Sequence, residues 1–432
     1  MIFYCKIIFK TYHQHKYEAT VNNFEEYLDL INNTKWGFID KNGDFIIKPQ
    51  YDEVRDFHNG LSIVKFNDKY GFINKNGDFI IKPQFDYIGN FKKGLAIVGY
   101  GINLFDCNAE KYGFIKENGK ILIDIQFDEV GDFKEGLARV KLNEKWGFID
   151  KNGDFVIKPQ FDEVGDFKEG LAKVRYEEKY TKNSKWGFVD NKNEIVIGFI
   201  FDEVGDFKEG LARVKLNEKW GFIDKNGDFV IKPQFDEVGD FIDGISWFKY
   251  EWDYTNHKYG FLDKKGNFTI EPFFDDIGYF TKDTMLVLSD SKWGVVDKNN
   301  GNFIVEPQFD DIKNFSEKVV AVKINYEWGL IDKNGKFIIE PQFDNIEWFC
   351  EDFFQIKLNG EWGLINSLGE ILIKPKFNDV RFFKEEFAGV EIDGKWGFID
   401  KNGDFVIKPQ FDEVGDFEEG YAKVAIKINK QS

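Results

Sequence analysis

The sequence predicts an all-β fold made of eleven tandem copies of one unit of about 34 residues. An aromatic-Gly pair recurs along the chain, and no copy places apolar residues at helical spacing. All nine prolines follow such a pair, thirteen residues later in every copy but one, where the distance is fourteen. The aromatic residues of the pairs are Trp36, Tyr70, Tyr112, Trp146, Trp186, Trp220, Tyr259, Trp293, Trp328, Trp362 and Trp396.

The copy that begins at Trp146 shows how the first half of a unit should fold. Residues 146–150 (WGFID) alternate as a short strand does, and 151–154 (KNGD) carry the Asn-Gly signature of a hairpin turn. Residues 155–158 (FVIK) form a second strand. Pro159 lacks an N–H group, so it should mark a strand end, an edge or a bulge.

The second half of the same copy is less regular. Residues 161–167 (FDEVGDF) read as an irregular crossover that ends in the turn 168–170 (KEG). Residues 171–174 (LAKV) form a third strand, which should pair with the strand of the next aromatic-Gly pair. Each unit is therefore expected to hold about three short strands.

A three-stranded unit cannot bury its aromatic side chains alone, so neighbouring units must stack. Because eleven units exceed the four to eight blades of ordinary propellers, an open, elongated or superhelical array is expected. The alternative is a large closed β-propeller or two propellers. Residues 1–34 read as a degenerate half-repeat and cap, 35–428 as one continuous array, and 429–432 as a polar tail. In an open array the last strand would have no aromatic-Gly partner and would leave an exposed edge.

The composition excludes several classes of partner. The net charge is −18, so a phosphate backbone or an anionic membrane surface would be repelled, and we expect no nucleic-acid partner. No apolar run is long enough to cross a bilayer, and no signal peptide is recognised, so no membrane insertion and a cytoplasmic location are expected. The three cysteines are neither a disulfide framework nor a metal cluster.

The recurring Lys-Trp-Gly-Phe-Ile-Asp-Lys-Asn-Gly segment, followed by Lys-Pro-Gln-Phe-Asp, resembles the WG (KWG) repeat family of bacterial proteins. The resemblance covers about nine-tenths of the chain. It implies a bacterial β-repeat protein that acts in binding, and it brings no catalytic residues with it.

Three patterns could carry chemistry, and each has a simpler explanation. Asp150–Asp154 begins like a calcium-binding loop, but Phe155 and Phe161 stand where that loop needs Gly and Glu. The acidic pair Asp162-Glu163 could serve glycoside cleavage, yet it recurs in most copies, which indicates a solvated edge. The aromatic residue of each aromatic-Gly pair could stack on sugars, although a core role is favoured. We expect no catalytic residues, no cofactor and no metal.

Departures from the period are the better functional signal. Three long connections interrupt alternate units at the same hairpin, at residues 99–110, 175–184 and 249–258, and insertions at one position map to one face. Trp247 replaces an Arg or Lys that should alternate outward, and Trp348 replaces an Asp. These features predict a non-enzymatic scaffold that binds a protein partner, with a glycan or the cell envelope as the alternative and a glycoside-active enzyme behind both. The candidate contact residues are Tyr100, Phe105, Tyr176, Tyr180, Trp247, Tyr250, Trp252, Tyr254 and Trp348.

Overall fold

The computed structural model consists of four-stranded antiparallel sheets. The structure describes residues 34–101, 111–177, 184–253, 256–280, 283–298, 300–314, 319–350 and 353–427. The described residues form two compact units. Unit 1 contains those within 1–128, 352–366 and 370–432, and unit 2 contains those within 129–351 and 367–369.

The strands of unit 1 come from the beginning and from the end of the chain. They are β1 (Thr34–Ile39), β2 (Phe45–Tyr51), β3 (Glu53–Val54), β4 (Leu61–Phe66), β5 (Lys69–Asn74), β6 (Phe79–Phe85), β7 (Tyr87–Ile88), β8 (Leu95–Tyr100), β9 (Lys111–Lys116), β10 (Ile121–Phe127), β36 (Phe353–Leu358), β37 (Glu361–Asn366), β38 (Ile371–Phe377), β39 (Asp379–Val380), β40 (Ala388–Ile392), β41 (Lys395–Ile399), β42 (Phe405–Phe411), β43 (Glu413–Glu418) and β44 (Tyr421–Lys427).

Unit 2 is continuous apart from a three-residue turn. Its strands are β11 (Glu129–Val130), β12 (Ala138–Leu142), β13 (Lys145–Ile149), β14 (Phe155–Phe161), β15 (Glu163–Val164), β16 (Leu171–Glu177), β17 (Ser184–Asp190), β18 (Ile195–Phe201), β19 (Glu203–Val204), β20 (Ala212–Leu216), β21 (Lys219–Ile223), β22 (Phe229–Phe235), β23 (Glu237–Val238), β24 (Ile245–Asp253), β25 (Asn256–Asp263), β26 (Phe268–Phe274), β27 (Asp276–Phe280), β28 (Thr284–Ser289), β29 (Lys292–Asp297), β30 (Phe303–Phe309), β31 (Asp311–Asn314), β32 (Val319–Ile324), β33 (Glu327–Asp332), β34 (Phe337–Phe343) and β35 (Asn345–Cys350).

Four strands, which we call a, b, c and d, form one blade. Strand a is short and strand c carries the aromatic-Gly pair, and each strand pairs with the next in the sequence. Blades 2 to 11 take their strands in order from β3–β6 to β39–β42. The expected three strands are therefore four, because the crossover contains a two-residue strand such as Glu163–Val164 that pairs with Arg175 and Val174.

Blade 1 joins the two ends of the repeat region. Its order is β43-β44-β1-β2, and Trp36 and Gly37 in β1 pair with Ala425 and Val424 in β44. The last strand thus has an aromatic-Gly partner after all, supplied by the first copy. The expected open, elongated array is wrong, and the chain is an eleven-bladed β-propeller, the closed alternative.

The glycine of the aromatic-Gly pair is required by a bulge in strand d. Trp146 pairs with Phe161 and Phe148 with Ile157, so Gly147 alone faces the three residues Lys-Pro-Gln. A Cβ atom on Gly147 would lie 2.4 Å from the Ile157 carbonyl oxygen and 2.6 Å from the nitrogen of the following proline. Of the settings predicted for this proline, a strand end, an edge or a bulge, the structure shows a bulge, in the strand at the edge of the blade.

The core lies between blades. In unit 2, Phe148, Ile157 and Phe161 of blade 4 pack against a group from blade 5 that includes Phe167 and Val174. The rings of Phe148 and Phe167 lie 4.8 Å apart between centroids. Inside such a stack both faces of a blade meet a neighbour, so consecutive residues of strand c, such as 147–149, are buried whichever face they point to.

The interface between blades also contains a cation that packs over the ring of the aromatic-Gly pair. Arg139 on strand b of blade 4 lies over Trp146, 5.5 Å from the ring centroid, and donates to the Val164 carbonyl of blade 5 at 3.3 Å. A Cβ atom on Gly131 would lie 2.7 Å from the Arg139 side chain. Blade 11 exchanges the two residues, because Arg381 stands at the glycine position and Gly389 at the arginine position.

Arg381 covers Trp396 from there, at 4.8 Å from the ring centroid. The guanidinium thus reaches the same ring from either position.

Candidate functional site

Each blade has two ends with different chemistry. The turns that join strands a to b and c to d lie at one end, which we call the turn end. The b–c hairpins lie at the other end, which we call the hairpin end, together with the last residues of strand d. In blade 5, for example, Phe201 at the end of strand d pairs with Trp186 at the start of strand c.

At the turn end, glutamates link neighbouring blades. Glu135 of blade 4 accepts hydrogen bonds from the backbone N–H groups of Glu169 and Gly170 in blade 5, at 2.8 and 2.9 Å. Glu169 accepts in turn from Gly210 N–H of blade 6 at 3.1 Å and pairs with Lys225 at 3.1 Å. Successive blades of unit 2 therefore have the same orientation, and their b–c hairpins share one end.

At the hairpin end, the recurring acidic pair is structural. Asp162 accepts from the Lys145 ammonium of blade 4 and from the Glu177 N–H of blade 5, the latter at 2.7 Å. Burial raises the pKa of Asp162, but these hydrogen bonds outweigh burial and hold the pKa below its ordinary value. Glu163 pairs with Arg175. Both carboxylates are thus engaged in linking strands and blades.

Cations cover the rings of most described aromatic-Gly pairs, including those at residues 70, 146, 186, 220, 259, 328, 362 and 396. Trp220 is buried, with the Arg213 guanidinium 5.3 Å and the Lys215 ammonium 5.8 Å from its ring centroid. Trp186 lies under Lys173 and Arg175 in the same way. A ring covered in this manner cannot offer that face to a sugar, so these residues belong to the blade interface.

The calcium-like loop is a hairpin turn. The Asp150 carboxylate accepts from the N–H groups of Asn152 and Asp154, and Gly153 has a φ of 94°. These bonds hold the pKa of Asp150 below its ordinary value, against the raising effect of burial. Among the described residues, no group of three acidic, His or Cys side chains is placed to hold a metal ion.

Two of the predicted contact residues are half-buried. Trp247 does not point outward, because its indole fills the space over Gly239, whose Cβ atom would lie 2.2 Å from the ring nitrogen. Its ring centroid is 5.9 Å from that of Tyr259. Tyr250 packs against Phe235 at 5.3 Å, and burial raises the pKa of its hydroxyl. The expectation of outward alternation fails for Trp247 because both faces of a blade are covered.

Of the other predicted contact residues, two tyrosines are exposed, and the side chains of the remaining five lie outside the described part of the chain. Tyr100 and Tyr176 are exposed at the end of strand b, and Tyr176 has 47% of its surface accessible. Trp252 and Trp348 lie in strands, but their side chains are outside the described part of the chain. Phe105, Tyr180 and Tyr254 lie outside the described residues altogether.

Three exposed apolar residues at the hairpin end of unit 2 escape the sequence prediction. Ile200 in blade 5 and Phe273 in blade 7 are 52% and 55% exposed, at the bulge position that holds Gln160 in blade 4. Tyr326 in blade 9 is 88% exposed at the tip of a tight hairpin, with a φ of 74°. For Ile200 and Phe273 the sequence does contain a signal, because each replaces the glutamine that most copies of the repeat have at this position.

Comparison with known proteins identifies the family. The WG-containing repeat matches the chain eleven times, over residues 36–70, 70–101, 112–146, 146–180, 186–220, 220–251, 259–293, 293–328, 328–362, 362–396 and 396–427. No curated protein matches by sequence. Within the described residues, no helix has the length and apolar character to cross a bilayer.

Several solved structures are similar in part. A eukaryotic initiation factor has 12% identity over 72% of this chain and 96% of its own, with a TM-score of 0.43. Hsv2p of Kluyveromyces lactis has 10% identity over 55% of this chain and 92% of its own, with a TM-score of 0.30. The extracellular domain of a hybrid two-component system from B. thetaiotaomicron has 10% identity over 85% of this chain and 60% of its own, with a TM-score of 0.23. The family matches, unlike these distant likenesses, cover most of the sequence, and the chain belongs to the WG-containing repeat family.

Proposed function

We propose that this chain is a non-enzymatic binding protein that docks a protein partner on the hairpin end of unit 2. The observation that carries the proposal is the exposure of Ile200, Phe273 and Tyr326, where sister blades carry polar residues. Burying one such side chain contributes roughly 1.5–3 kcal/mol, so three of them can anchor a complex.

The conformation of Tyr326 supports a role in binding. Asn325 and Tyr326 both have positive φ, 49° and 74°, as a two-residue type I′ hairpin requires. Glycine or asparagine adopts this conformation readily, whereas a bulky aromatic residue there is strained. The strain and the exposed ring bring the folded chain no stability, which favours a use outside the fold.

A protein partner is favoured over a glycan. Most of the described Trp rings of the aromatic-Gly pairs, such as Trp146, Trp186 and Trp220, lie under cations, so they are poor platforms for sugar stacking. The exposed residues at the hairpin end include the aliphatic Ile200, which has no ring to stack on a sugar. We also expect no catalytic turnover and a cytoplasmic location, which fractionation of the source cells would test.

The test compares three forms of the chain. The first is the natural chain, and the second carries Ile200→Gln, Phe273→Gln and Tyr326→Glu, residues that sister blades already use at these positions. The control is Val230→Thr, which removes exposed apolar surface at the opposite end of strand d and copies Thr269 of blade 7.

Each form is immobilised, and a protein captured from a lysate is identified, purified and titrated against all three. We expect the triple variant to lose at least about tenfold in affinity, with the control unchanged. Equal affinity of all three forms, or binding seen only on a glycan array, would refute the proposal.

A further inference from the structure

We propose that the partner of this surface is a basic polypeptide segment in which Lys or Arg residues accompany apolar anchors. The inference rests on the proposed function and names the chemistry of the partner. It comes from the exposed acids that accompany exposed apolar side chains at the hairpin end of unit 2.

The even-numbered blades of unit 2 present acids at the hairpin end. Their b–c hairpins are tight two-residue turns with both residues at positive φ, such as Asn143 at 51° and Glu144 at 65° in blade 4. Glu218 in blade 6 and Asp290 in blade 8 occupy turns of the same kind. All three acids are exposed, and within the described part of the chain none of the three carboxylates forms an ion pair.

The odd-numbered blades present apolar side chains at the same end. Blade 5 exposes Tyr176 and Ile200, with the Tyr176 ring 5.7 Å from that of Phe199. Blade 7 exposes Phe273 and blade 9 exposes Tyr326. Along blades 4 to 9, exposed acids and exposed apolar groups therefore lie side by side at this end, since Glu177 of blade 5 and Glu327 of blade 9 are exposed as well.

The lysines at this end do not neutralise the acids. In each of blades 4 to 8, the lysine at the start of strand c forms an ion pair with the aspartate that directly follows strand d. Such a pair adds no net positive charge to this end. These pairs are Lys145–Asp162, Lys185–Asp202, Lys219–Asp236, Lys258–Asp275 and Lys292–Asp310. Among the described residues, the exposed carboxylates of Glu144, Glu218 and Asp290 are therefore not offset by these lysines, in a chain whose net charge is −18.

The surface therefore complements a cationic partner. Acids beside apolar anchors attract Lys or Arg, whereas a nucleic acid or an anionic lipid surface would be repelled. Pairs on such an exposed rim add modest affinity but raise the association rate, and both effects weaken with salt. The two-blade duplication carries the pattern along the chain, since residues 127–167 and 201–241 are identical.

Labelled twenty-residue peptides test the inference. One alternates Lys with Leu and Phe, a second replaces each Lys with Glu, and a third replaces each apolar residue with Ser. Affinities are measured by fluorescence anisotropy in 50 mM and 200 mM salt. We expect only the first peptide to bind well, and its affinity to fall as salt rises.

Two charge variants locate the site. Glu144→Gln/Glu218→Gln/Asp290→Asn removes three exposed acids from the b–c turns of the hairpin end, and we expect a loss of about tenfold with a flatter salt dependence. The matched control, Asp154→Asn/Glu194→Gln/Asp228→Asn, removes the same charge from exposed c–d turns of the same unit. The control should bind within about twofold of the natural chain.

The outcomes separate this inference from the proposed function. Equal binding of the Glu-containing peptide, or equal losses in the two charge variants, would overturn the basic-partner inference. A captured partner that needs Ile200, Phe273 and Tyr326 but not the acids would also overturn it, while leaving the proposed function standing. Capture that is insensitive to all of these changes would overturn both.

Discussion

Replacement of Gly187 by alanine tests the bulge that accounts for the aromatic-Gly pair. Gly187 follows Trp186 in blade 5 and faces the bulge of strand d. Its Cβ atom would lie 2.5 Å from the Ile197 carbonyl oxygen, which is 0.9 Å inside the 3.4 Å at which ordinary contacts begin. The obstructing atoms are backbone, so no side chain can rotate away.

The size of the effect follows from that overlap. Overpacking a core by one methyl group costs about 1–3 kcal/mol, and we expect the upper end here because the bulge itself must move. The same blade supplies the control, since a Cβ atom on Gly198 would meet nothing within 4 Å and its φ is not positive. Gly198→Ala should be neutral or stabilise the protein by up to about 1 kcal/mol.

The assay should report on blade 5 as well as on the whole chain. Repeat proteins need not unfold in two states, so urea unfolding followed by tryptophan fluorescence is combined with hydrogen exchange over residues 186–201. We expect Gly187→Ala to lower both the unfolding midpoint and the local protection, and Gly198→Ala to lower neither. Equal behaviour of the two variants would refute the account of the bulge.

Three further predictions concern the contacts between blades. Glu169→Gln should lower the free energy of unfolding by about 1 kcal/mol in urea denaturation, because it weakens bonds to the next blade, while Glu144→Gln should leave it unchanged. Gly131→Arg and Arg139→Gly should each destabilise the protein, and the double variant should recover most of the loss by copying the arrangement of blade 11; a double variant as unstable as the sum of the singles would contradict this. The folded-state pKa of Asp162 is below that of the unfolded chain, so its contribution is complete above about pH 4 and is lost as the pH falls through the folded value. Urea midpoints measured down to pH 3 should fall less steeply in Asp162→Asn than in the natural chain, and parallel curves would refute the assignment.

Much of the blade could be predicted from the sequence. The Asn-Gly turn, the strands around it and the bulge at Pro159 depend on local residue preferences, and the structure contains all three. The fourth strand escaped prediction because two residues are too few for an alternating pattern. The closure of the propeller also escaped prediction, because the pairing of Trp36 with Ala425 joins positions far apart in the chain.

The candidate site was predicted less well, for a related reason. The position of Trp247 was expected to face solvent, as the outer face of a two-layer sheet would, but stacked blades cover both faces. Strands b and c are buried or half-buried along most of their length, so exposed positions lie mainly on strand d and at the ends of the blade. Replacements at those ends, such as Phe273 for glutamine, are therefore the informative ones.

The shared first blade has a consequence for the synthesis of the chain. Strand β1 is among the first parts of the repeat region to leave the ribosome, yet its partner β44 is made last. Until then the edge of β1 lacks its hydrogen-bonding partner, and blade 1 cannot be completed before the whole repeat region has been translated. Contacts between such distant residues slow folding and prolong the exposure of apolar strand edges. Closure of the propeller therefore depends on the last strand of the repeat region, and a product that stops before β44 would leave β1 with an open sheet edge.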